Sequence, residues 1–538
     1  MTNFRLNKKK EQTLLSKNRL LCDAAVNAAI AASYSGMYEI SMRWADFAAE
    51  LCWKRHPGYF THPQLEMALQ HTGNRLEGSG QLPVPSLPLR KAGVRSFLHV
   101  LTTALEIGGH TKLVERMISS THEASGDVHS IVLTSQSDSK VPDWLKRAAE
   151  STGGVLLALP EDIGLAERSL VLRRLAWEQA DVVVLHIHPN DPVAPVAFAK
   201  KGGPRVVFLN HADHLFWIGA GCADVIADIR SEGQEITLRR RGKPKSVILP
   251  IPLVPSSLAL SRANARSLLG VAEKTPLLIA IASSYKFIPY GTLDFPAYSK
   301  QILERNQNAV LCVVGPSEEE PEWRDAVDSS SGRLRLLGVK PDVEVYYAAA
   351  DLFLESFPVG SLTSTIDAML NGVPVVRAPR DILPILALGD YDGLLPQPSS
   401  QEEYLQQVDT MLGDHEFRKS SAASQRKAVL EKHTGKGWLS KWEELIGLLP
   451  EIHNPPFLHG KDCLKSAEKL DKIWAEMEKR QFADLPDQED TFKGIVRTLF
   501  IDCRRGELFR MWRSAVIQGN WRVARVLFRD VVRKNRKL

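Results

Sequence analysis

Between about residue 94 and residue 376, short apolar runs alternate with segments of helical pattern. That alternation restricts the fold more than any other feature of the chain. The runs are Phe97 to Leu101, Ile131 to Thr134, Val155 to Leu159, Val182 to Ile187, Val206 to Leu209, Val225 to Ile229 and Val247 to Ile251, then Leu277 to Ala282, Val310 to Val314, Leu334 to Val339, Leu352 to Leu354 and Pro374 to Val376. Strands separated by helices imply βαβ units and a parallel sheet. The Pro-rich segment Pro250 to Pro255 divides the runs into two sets. The expected architecture is α/β: two Rossmann-like, doubly wound domains in tandem, facing a cleft at the carboxyl ends of their sheets. Ligands bind at such places.

The ends of the chain read differently. From about 10 to 80, Leu14-Leu15, Leu20-Leu21, Ala24-Ala25 and Ala28 recur at helical spacing, and Met42, Trp44, Phe47, Ala48 and Leu51 form a second stripe. Thr61-His62-Pro63 opens a third helix, with Leu65, Met67, Ala68 and Leu69. No repeat period is clear enough for a solenoid. Gly78 to Leu89 is a Pro/Gly-rich boundary. Beyond about 402 the chain is helical again, and Trp474, Phe492, Leu499, Trp512 and Trp521 speak against a simple surface tail. The expected domains are a helical N-terminal unit (1–80), two α/β domains (90–254 and 255–450) and a helical C-terminal appendage (457–538).

Composition removes several classes. Apolar residues make up 44% of the chain and charged residues 24%, an ordinary globular balance. The net charge of +5 is too diffuse to argue for nucleic acid. Lys8 to Lys10, Arg239 to Arg241 and the tail from Arg529 to Lys537 read as solvated faces; contact with a membrane surface or an anionic substrate is the lesser reading. The six cysteines are scattered, none in metal spacing, which suits reduced thiols and a cytoplasmic compartment. No apolar run approaches the ~18 residues of a membrane span, and Asn27 interrupts the alanine-rich run near the N-terminus, so no signal peptide is read there.

Four places could carry chemistry. The first is Glu106-Ile-Gly108-Gly109-His110, after the first strand and at the start of a helix. Paired glycines let a backbone approach a ligand, and His110 is a base or hydrogen-bond donor there, or else part of a polar helix start. The second is Asn210-His211-Ala-Asp213-His214 at another strand end. A metal needs three or four converging ligands, and no further cluster has matching spacing, so His211, Asp213 and His214 are read as lining the acceptor side. His186 and His188 also end a strand and are read as packed or solvent-facing. The third is Tyr285-Lys286, where a cation after a buried strand would answer a diphosphate; a plain surface lysine is the alternative. The fourth is the stretch from Asp351 to Val376, read as strand, loop, helix and strand. Ser361, Thr363 and Ser364 sit at the start of its helix and suit a phosphate, and Asp367 is placed in the first turn. Just before it, the backbone at Gly338 and Val339 could bond a base edge. Without those neighbours this helix start reads equally as a hydroxyl-rich cap. No Walker loop or dinucleotide GxGxxG occurs.

In this order the four places resemble a GT-B glycosyltransferase. The detail is similar to the family of O-GlcNAc transferase and the bacterial cytoplasmic N-glucosyltransferases of adhesins. The residues are Gly108-Gly109-His110, Tyr285-Lys286, and Phe357-Pro-Val-Gly360 through Thr363-Ser-Thr-Ile-Asp367 to Gly372-Val-Pro374. The resemblance covers roughly 95 to 390. It implies that Lys286 contacts the diphosphate, that Thr363 and Ser364 hold phosphate, and that Asp367 binds the ribose. The paired glutamates of retaining enzymes are missing, since Val359 stands at the earlier position; this implies inversion. Leu362 occupies the place of a family histidine.

The implied activity is metal-independent transfer from a nucleotide diphosphate sugar, uridine-linked, to a protein or a surface glycan, with His110 and then His211 as acceptor-side base or orienting group. No cofactor is expected beyond that substrate. The helical ends suggest contact with a partner protein or a membrane surface. A nucleotide-sugar epimerase of the same fold and a degenerate binding scaffold are the alternatives.

Overall fold

A computed structural model of the chain describes residues 8–77 and 93–482, apart from 107, 138–139, 244, 256–259, 380–388, 392, 457–462 and 464–468. The stretch 78–89, Cys503, the basic tail and most of the expected appendage lie outside the described residues. The chain forms two compact units: one of residues up to Ile229, Gly233–Leu249 and the segment from Glu443, the other of Arg230–Glu232 and Pro250–Trp442.

The first unit opens with α1 (Lys8–Tyr34), α2 (Tyr38–Lys54) and α3 (Pro63–Arg75). There follow β1 (Ser96–Leu101), α4 (Gly109–Ser125), β2 (Val128–Leu133), α5 (Asp143–Ser151), β3 (Leu156–Ala158), α6 (Leu165–Gln179), β4 (Val182–His186), α7 (Val193–Ala197), β5 (Arg205–Asn210), β6 (Val225–Asp228), α8 (Ser231–Arg240) and β7 (Ser246–Ile248). The seven strands are all parallel in the order β3-β2-β1-β4-β5-β6-β7. The order reverses between β1 and β4, the switch point of a doubly wound sheet.

The N-terminal helices do not pack as a core of their own. Ala25, Val26, Ala29 and Ala32 of α1 join Leu98, Val183, Leu185 and Val206 of the sheet in one buried cluster. Alanine at helical spacing makes this possible, because small side chains let α2 and α3 lie close to α1. Two polar groups lock the arrangement. Arg173 on α6 donates to the carbonyls of Gly73, Val196 and Ala197 at 2.7–2.9 Å, tying α3 to α7. Arg241, fully buried, donates to the carbonyls of Phe60, Asp213 and Leu215. The expectation of a solvated face over Arg239 to Arg241 thus holds only for Arg239: Arg240 is buried as well, paired with Asp471 at 3.1 Å. Asp471 lies on α17 (Lys469–Gln481), beside α1, and also meets His56 at 2.9 Å.

The second unit holds α9 (Arg262–Leu269), β8 (Leu277–Ile281), α10 (Phe295–Arg305), β9 (Val310–Val314), α11 (Arg324–Ser329), β10 (Leu334–Leu336), α12 (Glu344–Ala349), β11 (Leu352–Leu354), α13 (Leu362–Leu370), β12 (Val375–Val376), α14 (Gln401–Gly413) and α15 (His415–His433), with α16 (Gly435–Gly447) following. Its five parallel strands run β10-β9-β8-β11-β12, with the switch between β8 and β11. Asp351 anchors this junction from below, accepting from Arg262 at 2.7 Å, Arg266 at 2.6 Å and the Leu277 N–H at 2.8 Å.

Among the described residues, no helix is long and apolar enough to cross a membrane. The described cysteines are free and buried.

A Cβ placed on Gly73 would overlap the Val196 carbonyl and the Ala199 side chain. Gly73→Ala should therefore force α3 away from α7 and cost about 1–3 kcal/mol, the usual range for overpacking. Thermal denaturation should show a lower melting temperature with helical content retained; an unchanged melting temperature would show that α3 is not held at this distance.

Candidate active site

At the carboxyl end of β8 the chain turns through a short 3-10 helix, Ser284–Phe287, which carries Lys286. At the carboxyl end of β11, Glu355 begins the loop that leads to α13. The Lys286 ammonium donates to the Gly360 carbonyl at 3.0 Å, and the Val359 N–H donates to the Lys286 carbonyl at 3.3 Å. Lys286 is thus stitched to the loop before α13 by both its side chain and its backbone. Burial lowers its pKa to about 8; Arg230 acts in the same sense and Glu355 opposes both. Glu355 is 2% exposed. One carboxylate oxygen accepts the Ala378 N–H at 2.9 Å, and the other has no partner among the described residues. Burial raises its pKa to about 7, against the pull of that N–H and of Arg377, Arg230 and Lys286.

The start of α13 is open. Ser361 occupies the N-cap position but makes no capping bond; its hydroxyl donates instead to Ser364 Oγ at 3.1 Å. The first-turn N–H groups, including those of Thr363 and Ser364, are left without a side-chain cap, a ready anion site. Because the helix begins at Leu362, Asp367 falls in its second turn and not the first. It shares a helix face with Thr363 and Ser364 at i+4 and i+3. Gly338 lies beyond the end of β10, with φ at +64°, and exchanges backbone bonds with Gly315 and Pro316 at 2.9 Å. Val339 follows it, 73% exposed.

The first unit has its own switch-point cluster. Gly108 precedes α4 with φ at +150°, which its lack of a Cβ permits. His110 then lies in the first turn of α4, half-buried, its ring 4.1 Å from that of His211 and 6.3 Å from those of His186 and His188. Burial holds the His110 pKa well below the usual range, with His211 and His188 adding to the effect. His211 is lowered to about 4, again chiefly by burial. Burial thus favours the neutral form of both rings. Asp191 braces the cluster: it accepts from Thr102 at 2.7 Å, Thr134 at 2.5 Å and the Val193 N–H at 2.8 Å. Asp213 is buried, with His214 at 3.0 Å, so it is a supporting group and not a lining one. His214 rests edge-on against Trp474 at 5.4 Å. Among the described residues no grouping could hold a metal ion.

Residues 292–414 match the family model described as glycosyl transferases group 1. That segment lies in the second unit, and the two parallel sheets have the arrangement of a GT-B fold. A glycosyltransferase from Rickettsia africae aligns with a TM-score of 0.50 at 10% identity, over 66% of this chain and 98% of that one. HepE from Anabaena, in complex with UDP and glucose, gives 0.48 at 14% identity over 66% and 98%. O-GlcNAc transferase from Thermobaculum terrenum gives 0.46 at 15% identity over 84% and 83%. No curated protein sequence matches the chain.

Within the second unit the fold gathers Lys286, Ser361, Thr363, Ser364 and Asp367 around one loop and helix start. In the first unit it gathers Gly108, Gly109, His110 and His211. Four residues escaped sequence reasoning. Glu355 was assigned no role, although an acid directly after a buried strand was a signal. Arg230 and Arg377 carried no motif. Asp191 follows His188 closely, but nothing in the sequence links it to Thr102 or Thr134.

The Glu355 carboxylate keeps the pKa of Lys286 up against burial. Glu355→Gln should therefore move the Lys286 titration further below about 8. Competitive acetylation read by mass spectrometry across pH would show a lower midpoint at Lys286; an unmoved midpoint would mean that the two groups are uncoupled.

Proposed function

We propose that the chain transfers a sugar, with inversion and without a metal, from a uridine diphosphate donor to a protein or surface-glycan acceptor. The observation that carries this reading is the conjunction at the β8/β11 switch point: an ammonium, an uncapped helix start and an acid one turn further on. A diphosphate needs countercharge, and Lys286 together with the N-terminus of α13 supplies it. As the bond to the anomeric carbon breaks, negative charge grows on the leaving diphosphate, and these same groups stabilise it. Asp367 accepts from the ribose hydroxyls, and the backbone after β10, at Gly338 and Val339, meets the base. The countercharge that a divalent ion would bring is thereby provided by the protein.

On the acceptor side, His110 is the base or orienting group and His211 its neighbour. A neutral imidazole has a free lone pair at physiological pH, so it accepts a hydrogen bond from the attacking hydroxyl or amide and takes the proton as the new bond forms. Val359 stands eight residues before Asp367, where the resemblance places an acid in retaining enzymes, which fits direct displacement.

Calorimetry with uridine diphosphate tests the donor assignment. Loss of a charge-assisted contact should weaken binding about tenfold or more in Lys286→Ala and in Asp367→Ala; wild-type affinity in both would refute it. The pH dependence has a definite sign. Diphosphate binding favours the ammonium form of Lys286, so affinity should fall as pH rises through about 8 in the wild type, and that fall should vanish in Lys286→Ala. Products distinguish the class of enzyme: a sugar epimer formed without any acceptor would mark an epimerase instead.

A further inference from the structure

A line of histidines crosses the first sheet. Register places His129 of β2 beside Phe97 of β1, and His186 of β4 beside Leu101 of β1. Phe97, His99 and Leu101 alternate onto one face, so His129, His99 and His186 share that face. All three are fully buried. Their ring nitrogens link directly: His129 Nδ1 lies 3.0 Å from His99 Nε2, and His99 Nδ1 lies 3.0 Å from His186 Nε2. At the far end, His129 Nε2 lies 2.9 Å from Thr121 Oγ1.

The Thr121 hydroxyl sets the direction of this chain. It donates to the Met117 carbonyl at 2.8 Å and to that of Ile118 at 3.2 Å. A hydroxyl has one proton; directed at these carbonyls, it leaves the oxygen to accept from His129. His129 must then carry its proton on Nε2. His99 donates from Nε2 to the bare His129 Nδ1, and His186 donates from Nε2 to the bare His99 Nδ1. Neutral rings are required throughout, and burial enforces them. The outcome is that His186 ends with a bare lone pair on Nδ1, an atom without a partner among the described residues.

Two more such atoms lie close by. His110 Nε2 and His211 Nδ1 also have no hydrogen-bond partner among the described residues, and the two rings have backbone contacts at His186 and Leu209 respectively. Three imidazole nitrogens are thus buried in one cluster with no donor to them among the described residues. Acceptors buried without donors cost stability, and a ligand that brings N–H or O–H groups recovers it. The nearby charges, Asp191 beside His188 and Asp213 beside His211, are negative and repel an anion.

We propose that His110 Nε2, His186 Nδ1 and His211 Nδ1 form a subsite for the neutral hydroxyl or amide of the acceptor, excluding phosphate acceptors, with His186 held in its tautomer by His99, His129 and Thr121. This rests on the transferase reading above. It adds His186 to the substrate contacts and makes Thr121 a positioning residue.

Nitrogen-15 NMR of histidine-labelled full-length protein at neutral pH tests it. His186 should be protonated on Nε2 and bare on Nδ1; a proton on Nδ1 would overturn the proposal. Thr121→Val keeps the shape and loses the hydroxyl, and should shift His186 to a roughly even tautomer mixture. Thr121→Ser keeps the hydroxyl and loses the methyl, and should retain the wild-type tautomer. The opposite ranking would reduce Thr121 to a packing role and sink the chain. Glycerol, as a neutral hydroxyl probe, should move the three bare nitrogen signals and inorganic phosphate should not; a response to phosphate alone would overturn the substrate class. Uridine diphosphate binding on the same samples separates the two readings. Its absence would fault the donor assignment while leaving the tautomer result intact, and its presence with His186 protonated on Nδ1 would fault only the subsite.

Discussion

Both sheets are parallel and covered on both faces, and that burial governs where chemistry can occur. A strand so enclosed offers its side chains no water, so charged groups emerge where the strand ends. At the carboxyl end of β8 the chain releases Lys286, and at that of β11 it releases Glu355. At the ends of β1 and β4 it releases Thr102, His188 and Asp191. Because neighbouring strands diverge at a switch point, each unit leaves its own groups at its own switch point instead of beneath a crossover helix.

The two switch points solve the burial problem in opposite ways. In the second unit, charges are kept and balanced: Lys286, Arg230 and Arg377 surround Glu355, and burial draws the pKa values of the lysine and the acid to about 8 and about 7. In the first unit, burial works against charge on the histidines. His99, His129 and His186 sit at inward strand positions where an imidazolium would be costly, and each satisfies the next as a neutral ring.

Much of this was legible in the residues. Every apolar run predicted a strand that formed, with shifts of a few residues at the ends, because burial on both faces demands an uninterrupted apolar run. The stretch from Asp351 to Val376 also read true: Pro358 and Gly360 break the strand, and Asn371-Gly372 stops α13. The placement of Asp367 one turn too early came from not fixing which residue starts the helix. That depended on Ser361 taking the N-cap position while its hydroxyl turned to Ser364.

The sequence by itself determined the strand and helix order, the division at Pro250 to Pro255, and the candidate places at His110, Lys286 and the start of α13, because local periodicity and turn chemistry act over a few residues. Only the tertiary structure decided that Arg240 and Arg241 are buried, that Glu355 stands beside Lys286, and that His99, His129 and His186 form one hydrogen-bonded line. Those facts depend on strand order and register, which bring together residues far apart in the chain, and no local pattern encodes them.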